Sequence, residues 1–180
     1  MSAEASVLVV VGGLPATGKS TISGQLARLI KAPYLRVDRI EHAVVAYSAL
    51  EHPIGAAGYA VAHALASEQL VLGLDVVVEC VNPIALTRDG WVGTAAGAGA
   101  ALVEVEVLCS DPAEHRRRVE TRASDVAGLI KPTWEEVVGR EYDAWDRQHL
   151  VVDTADTSAT AAAERIATEV ASARRRPHGS

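Results

Sequence analysis

The sequence predicts an α/β fold built on a parallel sheet, and three observations carry that expectation. Ser6–Val11 (SVLVVV) is a continuous apolar, β-branched run, the pattern of a strand buried on both faces. It leads into a glycine-rich turn and then into Ile22–Lys31, where Ile22, Leu26, Leu29 and Ile30 share one helical face. Strand-like and helix-like segments then alternate, five strands in all, with no internal repeat and no linker long enough to divide the chain.

Taken in order, Pro33 closes the first helix and Tyr34–Val37 is a short second strand. Asp38–Leu50 places Ile40, Ala43 and Val44 at helical spacing, Pro53 and Gly55 interrupt, and Ala56–Gly73 resumes as an Ala- and Leu-rich helix. Leu74–Cys80 is the third strand, Asn82-Pro83 turns the chain, and Ile84–Ala98 is helical. Ala101–Leu108 is the fourth strand. Ser110-Asp111-Pro112 starts a helix that runs through HRRRVETR, with proline where a helix tolerates it. Ser124–Pro132 reads as a loop or lid, Trp134–Asp146 as helix, His149–Val152 as a fifth strand and Ala159–Ala173 as the closing helix. Residues 174–180 are a polar tail expected to be disordered.

The chain has 180 residues, a length that favours one domain. Seventeen basic residues against 23 acidic ones give a net charge of -6, which disfavours a general electrostatic grip on nucleic acid. Cys80 and Cys109 are too few for a disulfide framework and read as small buried hydrophobes at strand ends. No apolar run approaches the ~20 residues of a membrane span. The first ten residues lack the basic start and long apolar stretch of a signal peptide, so the expected compartment is the cytoplasm.

Gly13-Leu14-Pro15-Ala16-Thr17-Gly18-Lys19-Ser20 matches G-x-x-x-x-G-K-[ST] in full, between an apolar strand and an amphipathic helix. Glycines let backbone N–H groups converge on phosphate oxygens, and the helix N-terminus adds partial positive charge. Lys19, one of three lysines, reaches the β- and γ-phosphates, and the Ser20 hydroxyl, with Thr21 beside it, joins a Mg2+ shell. A triphosphate site alone does not separate kinases from hydrolases and switches.

The separating residues lie further on. Asp38 directly follows the second strand, on the rim that carries the phosphate loop, where a carboxylate takes a proton from an attacking hydroxyl or caps a helix. Glu79 ends the third strand on the same rim and either holds Mg2+ or contacts the acceptor. Arg39, Asn82 and Arg88 are candidates for the acceptor pocket, the alternatives being a turn for Asn82 and a solvated helix face for Arg88. Arg118 and Arg122, four apart on one helix, share a face and suit a transferring phosphoryl group or adenine, whereas Arg116 and Arg117 read as solvated. His42, Tyr47, His52, Tyr59 and His63 have no zinc-site spacing.

GLPATGKST, LRVDRI, VVVECVN, HRRRVETR and WDRQHLVVDT together resemble the small P-loop kinases of the adenylate-kinase-like type. The likeness is to the set that includes chloramphenicol phosphotransferase, the zeta toxins and the kinase domain of polynucleotide kinase. It runs from Val7 to about Thr154. It implies a three-layer P-loop NTPase fold, a five-stranded sheet in order 2-3-1-4-5 and a helical lid over about residues 114–133. It implies ATP and Mg2+ as cofactors, held by Gly13, Ala16, Thr17, Gly18, Lys19, Ser20 and Thr21. Asp38 falls on the general base, Arg118 and Arg122 on the lid arginines, and Asp153 with Thr154 near the adenine. Glu79 stands where the family often has Asp, with Asn82 in register.

The reading that follows is a kinase passing the γ-phosphoryl group to a hydroxyl of a small molecule, through Lys19, Asp38 and Arg122. The pocket for that acceptor falls at about Arg39–Val71, whose Ala-rich composition makes it modest and mainly apolar. A nucleotide-dependent switch with slow hydrolysis, in which Asp38 has no acceptor to deprotonate, is the alternative from another class. A polynucleotide 5′-hydroxyl kinase is a third reading. Neither ATP against GTP, the acceptor, nor the oligomeric state is written in these motifs.

Overall fold

The computed structural model describes residues 5–122 and 131–175. Among them β1 (Val7–Gly12), β2 (Tyr34–Arg36), β3 (Val76–Glu79), β4 (Ala101–Leu108) and β5 (Leu150–Asp153) form one sheet in the order β2-β3-β1-β4-β5, every pair parallel. The helices are α1 (Lys19–Ile30), α2 (Val37–Ala46), α3 (Ala57–Val71), α4 (Ala85–Gly97), α5 (Pro112–Thr121), α6 (Trp134–Val138) and α7 (Ala159–Arg174). The expected α/β fold and strand order are both present.

The continuous valine runs are explained by layers on both sides of the sheet. Val7, Val9, Val11, Val77, Val103, Val105 and Val107 pack under α1 and α7 against Ile22, Leu26, Ile166 and Val170. Leu8, Val10, Val76 and Val78 face the other way, under α3 and α4, against Ala62, Ala66, Leu70 and Trp91. Ala62, Ala66 and Leu70 recur every fourth residue, and the two alanines let α3 approach the sheet closely. A fully buried Val contributes about 1.5–2 kcal/mol relative to exposure, so the central strand, buried along its whole length, is a large single contribution to the apolar driving force.

Several boundaries differ from expectation for local reasons. Helix α1 begins at Lys19, three residues early, because left-handed Gly18 turns the phosphate loop straight into it. It ends at Lys31, itself left-handed, before Pro33 is reached. Asp38 is not a helix cap. Val37 opens α2 and Asp38 sits in its first turn, where a carboxylate suits the helix dipole. Asp111 caps α5 as expected, accepting from the N–H groups of Ala113 and Glu114. The helix expected over Trp134–Asp146 stops at Val138, with Gly139 as its C-cap, and Gly139–His149 is irregular. Helix α7 takes in Arg174 from the expected tail. Residues 176–180 of that tail, and 123–130 of the lid, lie outside the described residues.

The irregular segment is pinned by Arg88. This side chain on α4 is fully buried and donates to the carbonyls of Asn82 (3.3 Å), Pro83 (3.1 Å), Asp143 (2.7 Å) and Ala144 (3.1 Å). Its guanidinium lies 4.2 Å from the Trp145 ring centroid, and Trp145 stacks on His149 at 4.1 Å. Arg88 therefore neither lines an acceptor pocket nor faces solvent. It ties residues 143–144 to the turn after β3. Arg88→Ala removes the donors to four carbonyls, that of Asn82 buried, along with the packing of a fully buried side chain, and is expected to cost about 3 kcal/mol. Urea unfolding should show a lower midpoint at unchanged slope.

Candidate active site

The carboxyl ends of the strands share one rim, and a cavity of about 630 Å³ opens there. On the nucleotide side its walls are Ala16, Gly18, Lys19, Ser20 and Thr21, with Arg118 and Arg122 across from them. Asp38, Glu41, Tyr59 and Glu79 also line it. The loop between β1 and α1 is shaped from behind by residues that do not line the cavity. Gly13 has φ +143, and a Cβ there would lie 2.1 Å from the carbonyl oxygen of Val107, so only glycine fits. Its N–H donates to Val81 O, and Thr17 is buried with its hydroxyl on Leu14 O at 3.0 Å.

Lys19 is buried, and its Nζ donates to Leu14 O at 2.9 Å. Desolvation drives its pKa below the ordinary 10.5. The negative charges of Glu79 and Asp38 oppose that shift and Arg122 adds to it. A buried cation held by one carbonyl is primed for an anion.

Ser20, one residue on, donates its hydroxyl to Glu79 Oε1 at 2.6 Å. The other oxygen of Glu79 is held by the Tyr34 hydroxyl, and Arg36 Nε stands 3.5 Å from it. Arg36 Nη2 also donates to Asp38 Oδ2 at 2.9 Å. Tyr34 and Arg36, which the sequence reading did not nominate, therefore join both rim carboxylates. Burial and the Glu79 charge push the Tyr34 hydroxyl well above its usual range, so it remains a donor. Asp38 Oδ1 is shielded from solvent and has no hydrogen-bond partner among the described residues.

Arg118 and Arg122 are placed by α5. Arg118 donates to Glu114 Oε1 (2.7 Å), to Thr154 Oγ1 (2.8 Å) and to Thr154 O (3.1 Å), while Thr154 Oγ1 donates to Thr17 O at 2.7 Å. This chain couples α5 to the phosphate loop through the residue after β5. Arg122 ends α5 on the cavity wall, close enough to Lys19 for its charge to act there. Arg116 and Arg117 are exposed and paired with Glu120 and Glu114, as expected of solvated residues.

Three acceptor candidates are not brought to the cavity. Arg39 is exposed on α2 and does not line it. Asn82 is fully buried with φ +53, packed against Gly12, and its N–H donates to the Tyr59 hydroxyl at 3.0 Å. Arg88 is the internal clamp described above. Within Arg39–Val71 only Glu41 and Tyr59 line the cavity. Glu41 is held by close packing on Gly58, where a Cβ would fall 2.2 Å from its Cγ. Burial and the Asp38 charge raise its pKa.

A family model described as an AAA domain matches residues 8–137. The chain belongs to the AAA domain family. The solved structures that this AAA-domain protein resembles bear out the likeness to small P-loop kinases. One is a protein of Chloroflexus aurantiacus whose kinase assignment is itself provisional, with TM-score 0.76, 19% identity, and 94% of this chain and 98% of that one covered. Another is the Mycobacterium tuberculosis APS kinase CysC in complex with AMPPNP and APS, with TM-score 0.69, 19% identity and coverage of 93% and 98%. A third is a gluconokinase from Sinorhizobium meliloti 1021, with TM-score 0.60, 19% identity and coverage of 95% and 98%. At these identities the likeness shows the fold. Among curated proteins, none matches this chain.

The donor set suits a hard cation at the phosphate loop. Ser20 and Glu79 offer hydroxyl and carboxylate oxygens, and the described residues contain no cluster of three or more His, Cys, Asp or Glu able to enclose a metal. A cation there would take its remaining ligands from phosphates and water, which is the habit of Mg2+. No helix among the described residues is long and apolar enough to cross a membrane.

Proposed function

We propose that this AAA-domain protein is an ATP-dependent kinase that phosphorylates a hydroxyl of a small molecule, with residues 1–180 acting as one catalytic unit. The observation that carries the reading is one cavity holding both Lys19 and an Asp38 carboxylate whose Oδ1 has no described partner. Phosphate binding alone would need the first but not the second. Backbone N–H groups of residues 13–20 and the start of α1 bind the triphosphate. Lys19 leaves Leu14 O for the phosphates, while Arg122 balances charge on the transferring group. Mg2+, held through Ser20 and Glu79, would neutralise charge shared by the β- and γ-phosphates.

Asp38 orients the acceptor hydroxyl and takes its proton as the new O–P bond forms. The bond between the γ-phosphorus and the bridging oxygen breaks, and ADP leaves with that electron pair. Arg36 holds the Asp38 carboxylate through Oδ2, and the proton passes to that carboxylate. Glu41 and Tyr59 bound the space beside Asp38, so the acceptor carries hydrogen-bond donors or acceptors of its own. The resemblance to kinases of small hydroxylated substrates supports the same reading.

The test is γ-phosphoryl transfer from labelled ATP with Mg2+ to a panel of sugars, sugar acids, nucleosides, hydroxylated antibiotics and an oligonucleotide. The expected result is a labelled small-molecule product. Slow phosphate release with no product across the panel would move the reading to a nucleotide-dependent switch. Labelling of the oligonucleotide alone would make it a polynucleotide kinase.

A further inference from the structure

Glu79 is a long carboxylate at a position that works only if one oxygen faces the cation site. Ser20 reaches Oε1 from α1, and nothing in that contact fixes the rest of the side chain. The second oxygen is fixed from β2. Parallel pairing puts Tyr34 opposite Val77 and Arg36 opposite Glu79, so alternation sends both β2 side chains to the face that carries Glu79 and α1. The Tyr34 hydroxyl donates to Oε2, with Arg36 Nε at 3.5 Å from the same oxygen. The Tyr34 ring lies against α1 at Gly24, where a Cβ would make ordinary contact at 3.9 Å from Cε1. The ring is thus braced between β3 and the helix that begins at Lys19.

We propose that Tyr34 is a positioning residue for the cation of the nucleotide site: by holding Oε2 of Glu79 it presents Oε1, beside the Ser20 hydroxyl, to Mg2+. The inference rests on the reading of Lys19, Ser20 and Glu79 as a Mg2+–nucleotide site. Arg36 reaches the same oxygen only at 3.5 Å and donates to Asp38 at 2.9 Å, so the close contact on Oε2 is that of Tyr34. Groups that orient a metal ligand commonly change metal affinity 10–100-fold when removed. A residue that only supports the fold would change nucleotide binding with and without metal alike.

The experiment is calorimetric binding of ADP with Mg2+ varied, in the wild type, Tyr34→Phe, Glu79→Gln and the double variant. The wild type should bind ADP more tightly as Mg2+ rises. Tyr34→Phe should keep the metal-free ADP affinity within about twofold and weaken the apparent Mg2+ affinity about tenfold. In the Glu79→Gln background Tyr34→Phe should add nothing. Should Tyr34→Phe fail to fold, Tyr34→Leu serves instead, since it keeps an apolar side chain on β2, carries no hydroxyl and leaves Glu79 intact.

A Tyr34→Phe curve that overlays the wild type overturns the proposal. So does an effect of equal size in the Glu79→Gln background, or an unaltered response in Tyr34→Leu where that variant is needed. A wild type whose ADP binding ignores Mg2+ overturns the cation site itself, which is a different failure and is read from the first curve.

Discussion

Lys19→Met is expected to lower phosphoryl transfer about a thousandfold, roughly 4 kcal/mol of transition-state stabilisation, and to leave the free protein at least as stable as the wild type. Both halves follow from one environment. The ammonium is buried and its described hydrogen bond is to a single carbonyl, Leu14 O at 2.9 Å. Desolvation lowers its pKa below 10.5, so the native state holds that proton less firmly than the unfolded chain does. The sign is then fixed. The charged lysine costs stability below its folded pKa, and the cost fades as pH rises toward 10.5. Methionine removes the charge and keeps most of the volume, so the penalty goes and the packing stays. A triphosphate offers Lys19 the anionic partner that the free site gives only through Glu79 and Asp38, and that pairing is what Lys19→Met forfeits. Transfer assays with thermal unfolding of the same preparation check the pair of outcomes. Retained transfer would remove Lys19 from the site.

The parts of this molecule written in short stretches of sequence were legible, and those written in the meeting of distant stretches were not. The strand Ser6–Val11 and the loop Gly13–Ser20 are adjacent in sequence and act together, so spacing alone reported them. Ala101–Leu108 was read to the residue, because its ends are marked by a Gly/Ala stretch and by Ser110-Asp111-Pro112. The strand order came from the family resemblance, since no local pattern encodes which strands become neighbours. Tyr34 and Arg36 escaped notice for the same reason: their partner Glu79 is more than 40 residues away, and only the register of β2 on β3 joins them. A hint was available in the alternation Tyr34, Arg36 on a strand that leads into Asp38. Arg88 was misplaced because its burial is created by Gly139–His149 folding back as an irregular segment. The sequence expectation of helix extends over Gly139–Asp146 of that segment, although Gly139 is a good stop signal.

Asp38→Asn is expected to reduce transfer by about two to four orders of magnitude while ADP affinity and fold stay near those of the wild type. The substitution separates two jobs that the proposed mechanism gives Asp38, holding Arg36 and taking the proton. Oδ2 accepts from Arg36 at 2.9 Å, and an amide oxygen can take over that contact, so the link from Asp38 through Arg36 to Glu79 survives. In the proposed mechanism the carboxylate is the proton acceptor, and an amide in its place has no useful basicity. The cost to folding is confined to the first turn of α2, where exchanging a carboxylate for an amide forfeits a helix-dipole interaction of about 0.3–1 kcal/mol. The side chain is 44% exposed, so its ion pair with Arg36 contributes little more to stability. Loss of transfer therefore far exceeds any loss of folded protein, and urea unfolding beside the transfer assay distinguishes them. Slow ATP hydrolysis by water, which needs no acceptor in the Asp38 position, should persist in the variant. If Asp38→Asn phosphorylates an acceptor at the wild-type rate, Asp38 only anchors Arg36, and the proton must leave the hydroxyl by another route.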